Sequence, residues 1–155
     1  MASVIQIVRR FRHGDTGAEL IEFALVFPLL ALLFAGIIDF GILFQRFEVV
    51  TNAAREGARV GILPGYDIPD IQARVGSYFA AAGLTAAYPP PTVLYENVEV
   101  TPGGPTMSVV RVNVQYPHQF LFVGPIAVLV GGGPHPDITL TASAQMRREV
   151  AAVGP

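Results

Sequence analysis

Residues 13–40 read HGDTGAELIEFALVFPLLALLFAGIIDF. The run from Phe23 to Ile38 holds 16 residues without a charge. From Leu20 to Phe44, a stretch of 25 residues, only Glu22 and Asp39 are charged. About 20 helical residues, rising about 1.5 Å each, cross the roughly 30 Å hydrocarbon core of a bilayer. The stretch therefore predicts a membrane-spanning helix. Pro28 lies inside it, where bilayer helices tolerate a kink. Gly36 and Gly41 are small positions that admit a close neighbouring helix. Arg9, Arg10 and Arg12 precede the span with no acid before Asp15. That bias predicts a cytoplasmic N-terminus.

Composition points the same way. Of the 155 residues 52% are apolar and only 14% charged, with a mean hydropathy of +0.49. Soluble domains carry about a quarter charged residues. The net charge of -2 leaves no basic field for nucleic acid. The chain has no Cys, which removes disulfides, thiolate chemistry, cysteine-ligated zinc and a lipoprotein anchor.

Beyond the span, QRFEVVTNAAREGARVGIL (Gln45 to Leu63) contains no Pro. Phe47, Val50, Ala54, Ala58 and Ile62 share one helix face, while Glu48, Asn52, Arg55 and Arg59 share another. Pro64 and Gly65 end the pattern. The expectation is one long helix, greasy first and amphipathic after. A second helix is expected from Asp70 to Leu84, with Asp70 as its N-cap and Gly83 near its end. TAAYPPPT is a linker stiffened by Pro89, Pro90 and Pro91. Thr92 to Val100 and Ser108 to Tyr116 alternate as a hairpin around TPGGP. Val110, Val112, Val114 and Tyr116 fall on one face. Asp137 to Glu149 offers a third strand, with Ile138, Leu140, Ala142 and Ala144 on one side. The fold class is thus α+β: a long N-terminal transmembrane helix continuing into an amphipathic helix, plus a small antiparallel sheet of about three strands. Residues 120–134 form an uncharged run broken by Gly124 and Pro125. It is short for a span and reads as a packed or membrane-skimming loop; a second span and an exposed interaction patch are the other readings.

No catalytic constellation is visible, so the chain is read as a non-enzyme, without cofactor or metal. His13, His118 and His135 fall in a leader and two Pro-flanked loops, without metal-ligand spacing. GGGP (Gly131 to Pro134) lacks the Lys-Ser/Thr ending of a phosphate loop. Asp67 and Asp70 are too sparse for calcium. No pocket with convergent polar groups is expected. That leaves Glu22. One reading keeps it in the headgroups as a boundary residue. The other has it await a positive partner, such as a neighbouring chain's free α-amino group.

The motif G-A-E-L-I-E-F (Gly17 to Phe23) resembles the processing site of type IV pilin precursors: a basic leader, a Gly before the cut and a Glu five residues into the mature chain. More widely, GAELIEFALVFPLLALLFAGIIDFG followed by TNAAREGAR resembles the TadE-like pseudopilins of tight-adherence (Tad, Flp) pilus systems. LTASAQMRRE (Leu140 to Glu149) is loosely similar to that family's last strand. The resemblance implies cleavage between Gly17 and Ala18 by a prepilin peptidase. The parts would then be a leader (1–17), the helix and its extension (18–63) and an extracytoplasmic head (64–155). Glu22 would pair with a neighbour's N-terminal ammonium during assembly. Asp39, about 25 Å further along the helix, would sit near the outer face, either solvated or packed against another Tad subunit. Asn52, Arg55, Glu56 and Arg59 match the family stretch and would form either a solvated face or a contact with another pilus component. Implied partners are the prepilin peptidase, the Flp-type pilin, other Tad pseudopilins, the inner-membrane assembly platform and membrane lipid. The implied location is the bacterial cytoplasmic membrane, single-pass, with the fibre as a second location. The length speaks against larger TadG-like relatives, and a TadF-like subunit stays open. Two rivals remain: an uncleaved membrane-anchored accessory protein, and a secreted binding module cut before Gly36 by an ordinary signal peptidase.

Overall fold

A computed structural model describes residues 15–129 and 138–148. Most of the expected leader, His13, His135, the Gly131–Pro134 turn and the C-terminal residues lie outside that range.

Helix α1 runs from Asp15 to Gly61, 47 residues through Pro28 without a break. At about 1.5 Å per residue it is roughly 70 Å long. Its two halves have opposite surroundings. From Leu20 to Phe34 every side chain is exposed, with Leu25 at 75% and Phe34 at 62%. Cover begins at Ala35 and Asp39, and from Val50 onward one face is fully buried through Ala53, Ala54 and Ala58. That face is close to the expected one, but shifted: Phe47 is 44% exposed, and Gly57 and Gly61 join the buried side.

Helix α2 (Ile68–Ala81) packs Ile71, Val75 and Phe79 inward. Its N-cap is Asp67, not Asp70. The Asp67 side chain accepts from the Asp70 N–H at 3.2 Å, and the Asp70 carboxylate accepts from the Asp67 N–H at 3.1 Å. The two acids thus close a reciprocal capping box that satisfies otherwise orphaned donors. Pro69 fits the first turn because it lacks an N–H that would be unpaired there.

The sheet contains β1 (Thr92–Glu99), β2 (Thr106–His118) and β3 (Ile138–Arg147), antiparallel in that order. A short helix, α3 (Val123–Leu129), lies on the β2–β3 connection. β2 outlasts β1: the last β1 pairing is Thr92 with Asn113. Residues 114–118 then have β3 alone as a neighbour. A free edge is where a sheet tolerates proline, which is why Pro117 sits inside β2. His118 is therefore the end of a strand, buried at 1% exposure, and not a loop residue.

Alternation puts Val110, Val112, Val114 and Tyr116 on the inner face, with Leu140, Ala142 and Ala144 beside them across the ladder. Ile138, expected on the same side, is 41% exposed. The inner face packs against α1 and α2. Phe79, Tyr88 and Tyr116 form an edge-on aromatic cluster, with ring centroids at 4.9 and 5.2 Å from Phe79. The Tyr116 hydroxyl accepts the Ala86 N–H at 3.0 Å, so a buried polar tip is satisfied.

Two glycines let α1 lie this close. A Cβ on Gly57 would come within 2.9 Å of Val75 Cγ2 and 3.2 Å of Val112 Cγ1. On Gly61 it would meet Val110 Cγ2 at 2.9 Å. The C-terminal half of α1 is therefore part of the head's core, although it is covalently one helix with the span.

Candidate functional site

Among the described residues the distinctive surfaces are the bare half of α1 and the junction where the head meets it. Gly17 and Ala18 lie in the first turn of α1, among the amides that have no intrahelical acceptor. Glu22 is exposed one turn further on and has no ion-pair partner among the described residues. A Cβ on Gly36 or Gly41 would touch nothing within 4 Å. These glycines therefore meet no intrachain need for close approach, unlike Gly57 and Gly61.

Asp39 is not solvated, one of the two settings expected of it, and packs within its own chain. Its carboxylate is 1% exposed and accepts four hydrogen bonds from three backbone N–H groups: Leu121 at 2.9 Å, Phe122 at 3.2 and 3.0 Å, and Val123 at 2.7 Å. Bonds from N–H to an ionised carboxylate are about twice as strong as neutral ones. The acid thus clasps the start of α3 to the long helix within the same chain. The Phe40 and Phe120 rings meet edge-on beside it at 6.0 Å.

On the head side of this clasp, Arg46 Nη1 donates to His118 Nδ1 at 3.1 Å. A guanidinium only donates, so Nδ1 carries a lone pair and the ring proton sits on Nε2. Nε2 is buried with no partner among the described residues. Burial pushes the His118 imidazole below its ordinary value near 6.5, Arg46 pushes it the same way, and Asp39 opposes them. The folded head therefore holds His118 neutral at pH 7. On unfolding the ring takes a proton at its ordinary value. Stability is thus full above about pH 6.5 and is lost as pH falls from there toward the depressed folded value. We expect His118→Phe, which keeps the edge-on packing on Phe120, to remove at least half of the drop in urea midpoint between about pH 7.5 and 5.5. An unchanged drop would contradict this reading of His118.

A cleft of about 720 Å³ lies between Asp39, Arg46, the Gly83–Ala87 loop, Tyr116, Gln119 and Phe120. It is a concavity the sequence did not foretell. Its acid and its phenol are already engaged, Asp39 with amides and Tyr116 with Ala86. What it presents is a cation, Arg46, and neutral groups. Among the described residues no group of three or more His, Asp or Glu could hold a metal ion.

The remaining motif residues stand on the outer face of the packed half of α1. Glu56 accepts from Arg59 at 2.8 Å and from Arg74 of α2 at 3.0 Å. Arg55 donates to Asn52 at 3.1 Å. The Arg59 and then the Arg74 hydrogen bonds hold the Glu56 carboxyl below its ordinary value. Its contribution is present above that value and lost as pH falls through the lowered one. Arg59 is 57% exposed and the pairs face water, where solvent screens them, so they are weak.

An apolar helical stretch that the described residues leave uncovered, long enough to cross a membrane, thus runs into an amphipathic continuation carrying N-A-A-R-E-G-A-R. Residues 17–59 match the TadE-like protein family. The matched stretch begins at Gly17 and takes in the whole bare half of α1, Asp39 but not the amides it holds, and the polar face through Arg59. The sheet, α2 and α3 lie beyond it. No curated protein and no solved structure matches the chain. Sequence reasoning missed Arg46, His118 and the three clasping amides. Only His118 carried a signal: the period-two pattern of Val112, Val114 and Tyr116 extends to it.

Proposed function

We propose that this chain is a membrane-anchored pseudopilin, or minor pilin, that acts in assembly or priming of a Tad-type pilus. A prepilin peptidase cuts between Gly17 and Ala18. The mature chain stays in the cytoplasmic membrane as a single span with its head outside the cytoplasm. It catalyses nothing and works by helix packing and head contacts with the Flp-type pilin, other Tad pseudopilins and the assembly platform. The observation that carries this reading is the TadE-like stretch itself: an apolar helix, uncovered from Leu20 to Phe34, whose matched segment begins at the Gly of the processing motif.

Glu22 supports the same reading. An ionised acid at the edge of hydrocarbon is costly unless paired, and the chain supplies it no cation among the described residues. The α-ammonium of a neighbouring Ala18 would neutralise it. Two such charges couple strongly in a low dielectric, so only correctly staggered helices would satisfy both. The polar face of Asn52, Arg55, Glu56 and Arg59, with Gly36 and Gly41 lower down, would then meet other subunits.

Glu22→Ala tests this. We expect normal membrane insertion and head folding, with surface pili reduced at least tenfold by electron microscopy counts. Normal piliation would remove the assembly role from Glu22.

A further inference from the structure

We propose that residues 120–129 are an interfacial foot whose exposed apolar side chains lie in the bilayer leaflet on the head's side, beside α1, with Arg46 at the level of the lipid phosphates. This rests on the membrane-spanning reading of α1 and adds a second, shallower contact with the lipid.

The depth follows from the helix. Counting from Glu22, the charge that precedes the apolar run, about 30 Å of hydrocarbon takes up about 20 residues and ends near Ile42. Asp39 then lies about 4 to 5 Å inside that boundary and Arg46 about 6 Å outside it. Tilt of the helix only moves the boundary toward Arg46. Whatever Asp39 holds is held at the junction of acyl chains and headgroups. It holds the N–H groups of Leu121, Phe122 and Val123, with 2.7 Å the shortest bond.

The chemistry of the held segment fits that depth. From Gln119 to Leu129 there is no charged residue. Leu121 is 60% exposed, Phe122 40% and Val128 54%. These would be a liability in water. Their surface continues into the span through Phe120, which meets Phe40, itself 52% exposed. Backbone amides at this depth need acceptors, because lipid provides none, and Asp39 provides them. The acid in turn needs no cation. Arg46 makes no ion pair among the described residues and lines the cleft on the head side of the foot. There it complements an anionic headgroup phosphate, as basic side chains do at a membrane surface.

The chain contains no Trp, so each introduced Trp is a single reporter. The full chain carrying Phe122→Trp, with Leu121→Trp as a second version in case the first misfolds, is reconstituted in phosphatidylcholine and phosphatidylglycerol vesicles with acyl chains brominated near the headgroup. Leu30→Trp, which the same count puts near the bilayer centre, is read in a second set of vesicles brominated near the acyl-chain ends and reports the span, and Tyr66→Trp, at the far end of the head, reports water. We expect blue-shifted emission from the foot reporter and quenching at least threefold greater than for Tyr66→Trp. Quenching no greater than for Tyr66→Trp, while Leu30→Trp is strongly quenched, overturns the foot and leaves the span intact. Blue-shifted but unquenched emission also overturns it, showing protein, such as a second copy, in place of lipid. An unquenched Leu30→Trp overturns the spanning reading itself and the foot with it.

Discussion

Gly57→Leu is expected to unfold the head, with a loss above about 3 kcal/mol. The reasoning starts from the first atom that would be added. A Cβ at Gly57 comes within 2.9 Å of Val75 and 3.2 Å of Val112, both fully buried. Valine side chains are stiff at χ1, so neither can swing aside, and helix and sheet must part instead. Overpacking a dense core costs roughly 1–3 kcal/mol for a small group and more for a large one. Gly57→Ala is partly offset by about 1 kcal/mol of helix propensity, so its net loss is expected at about 0–2 kcal/mol. Gly57→Leu adds three further carbons with nowhere to go. Against a typical total of about 5–15 kcal/mol, that removes most of the margin. Gly41→Ala is the control: nothing lies within 4 Å of its Cβ, and a gain of up to about 1 kcal/mol is expected. Urea midpoints in detergent, followed by tyrosine fluorescence, report the difference. Equal midpoints for Gly57→Leu and the unaltered chain would contradict the close-approach account.

Asp39→Ala is expected to free the start of α3 while leaving the core in place. Hydrogen bonds to a charged group contribute about 1.5–3 kcal/mol each, and a buried donor left unpaired costs about 1–3 kcal/mol. Three amides lose their acceptor together. Summing these figures would overstate the loss, because the segment can swing out and hydrate. The undocking free energy caps the effect, so it is local. Hydrogen exchange should show protection of the Leu121, Phe122 and Val123 amides falling at least 100-fold, a loss of about 2.7 kcal/mol or more at about 1.4 kcal/mol per tenfold. Amides of Val112 and Val114, in the core of β2, should change less than threefold. Unchanged protection at 121–123 would mean that the clasp contributes nothing in solution.

The periodic parts of this fold were legible. An uncharged run of helical length, a 3–4 pattern after it and three period-two stretches each carry their own signal. That was enough for the helix, the hairpin and the third strand. The errors have local physical causes. Asp67-Ile-Pro-Asp70 holds two acids three apart, each able to cap. Pro69 disfavours helical backbone at Ile68 just before it, yet the first turn of α2 holds both. Pro117 hid the last turn of the alternation because the length of β1, which creates the free edge, cannot be read from β2. Gly57 and Gly61 have no period of their own. Their meaning comes from Val75, Val110 and Val112, far off in sequence. Asp39 was the least legible: its partners are backbone amides 82 to 84 residues away, and an amide leaves no mark in a side-chain pattern. Glu22 differs in kind. No contact among the described residues accounts for it, and the role proposed for it lies between chains.

The central claim is that the TadE-like helix is a processed, membrane-anchored subunit. The most direct test is the N-terminus of the protein purified from native membranes, read by mass spectrometry. A mature chain beginning at Ala18 is the predicted result, and it places Glu22 fifth from a free ammonium. A chain still beginning at Met1 or Ala2, or one beginning at Gly36, would contradict it: the first leaves a plain anchor, the second a released head, and neither supplies the amine that Glu22 is proposed to meet.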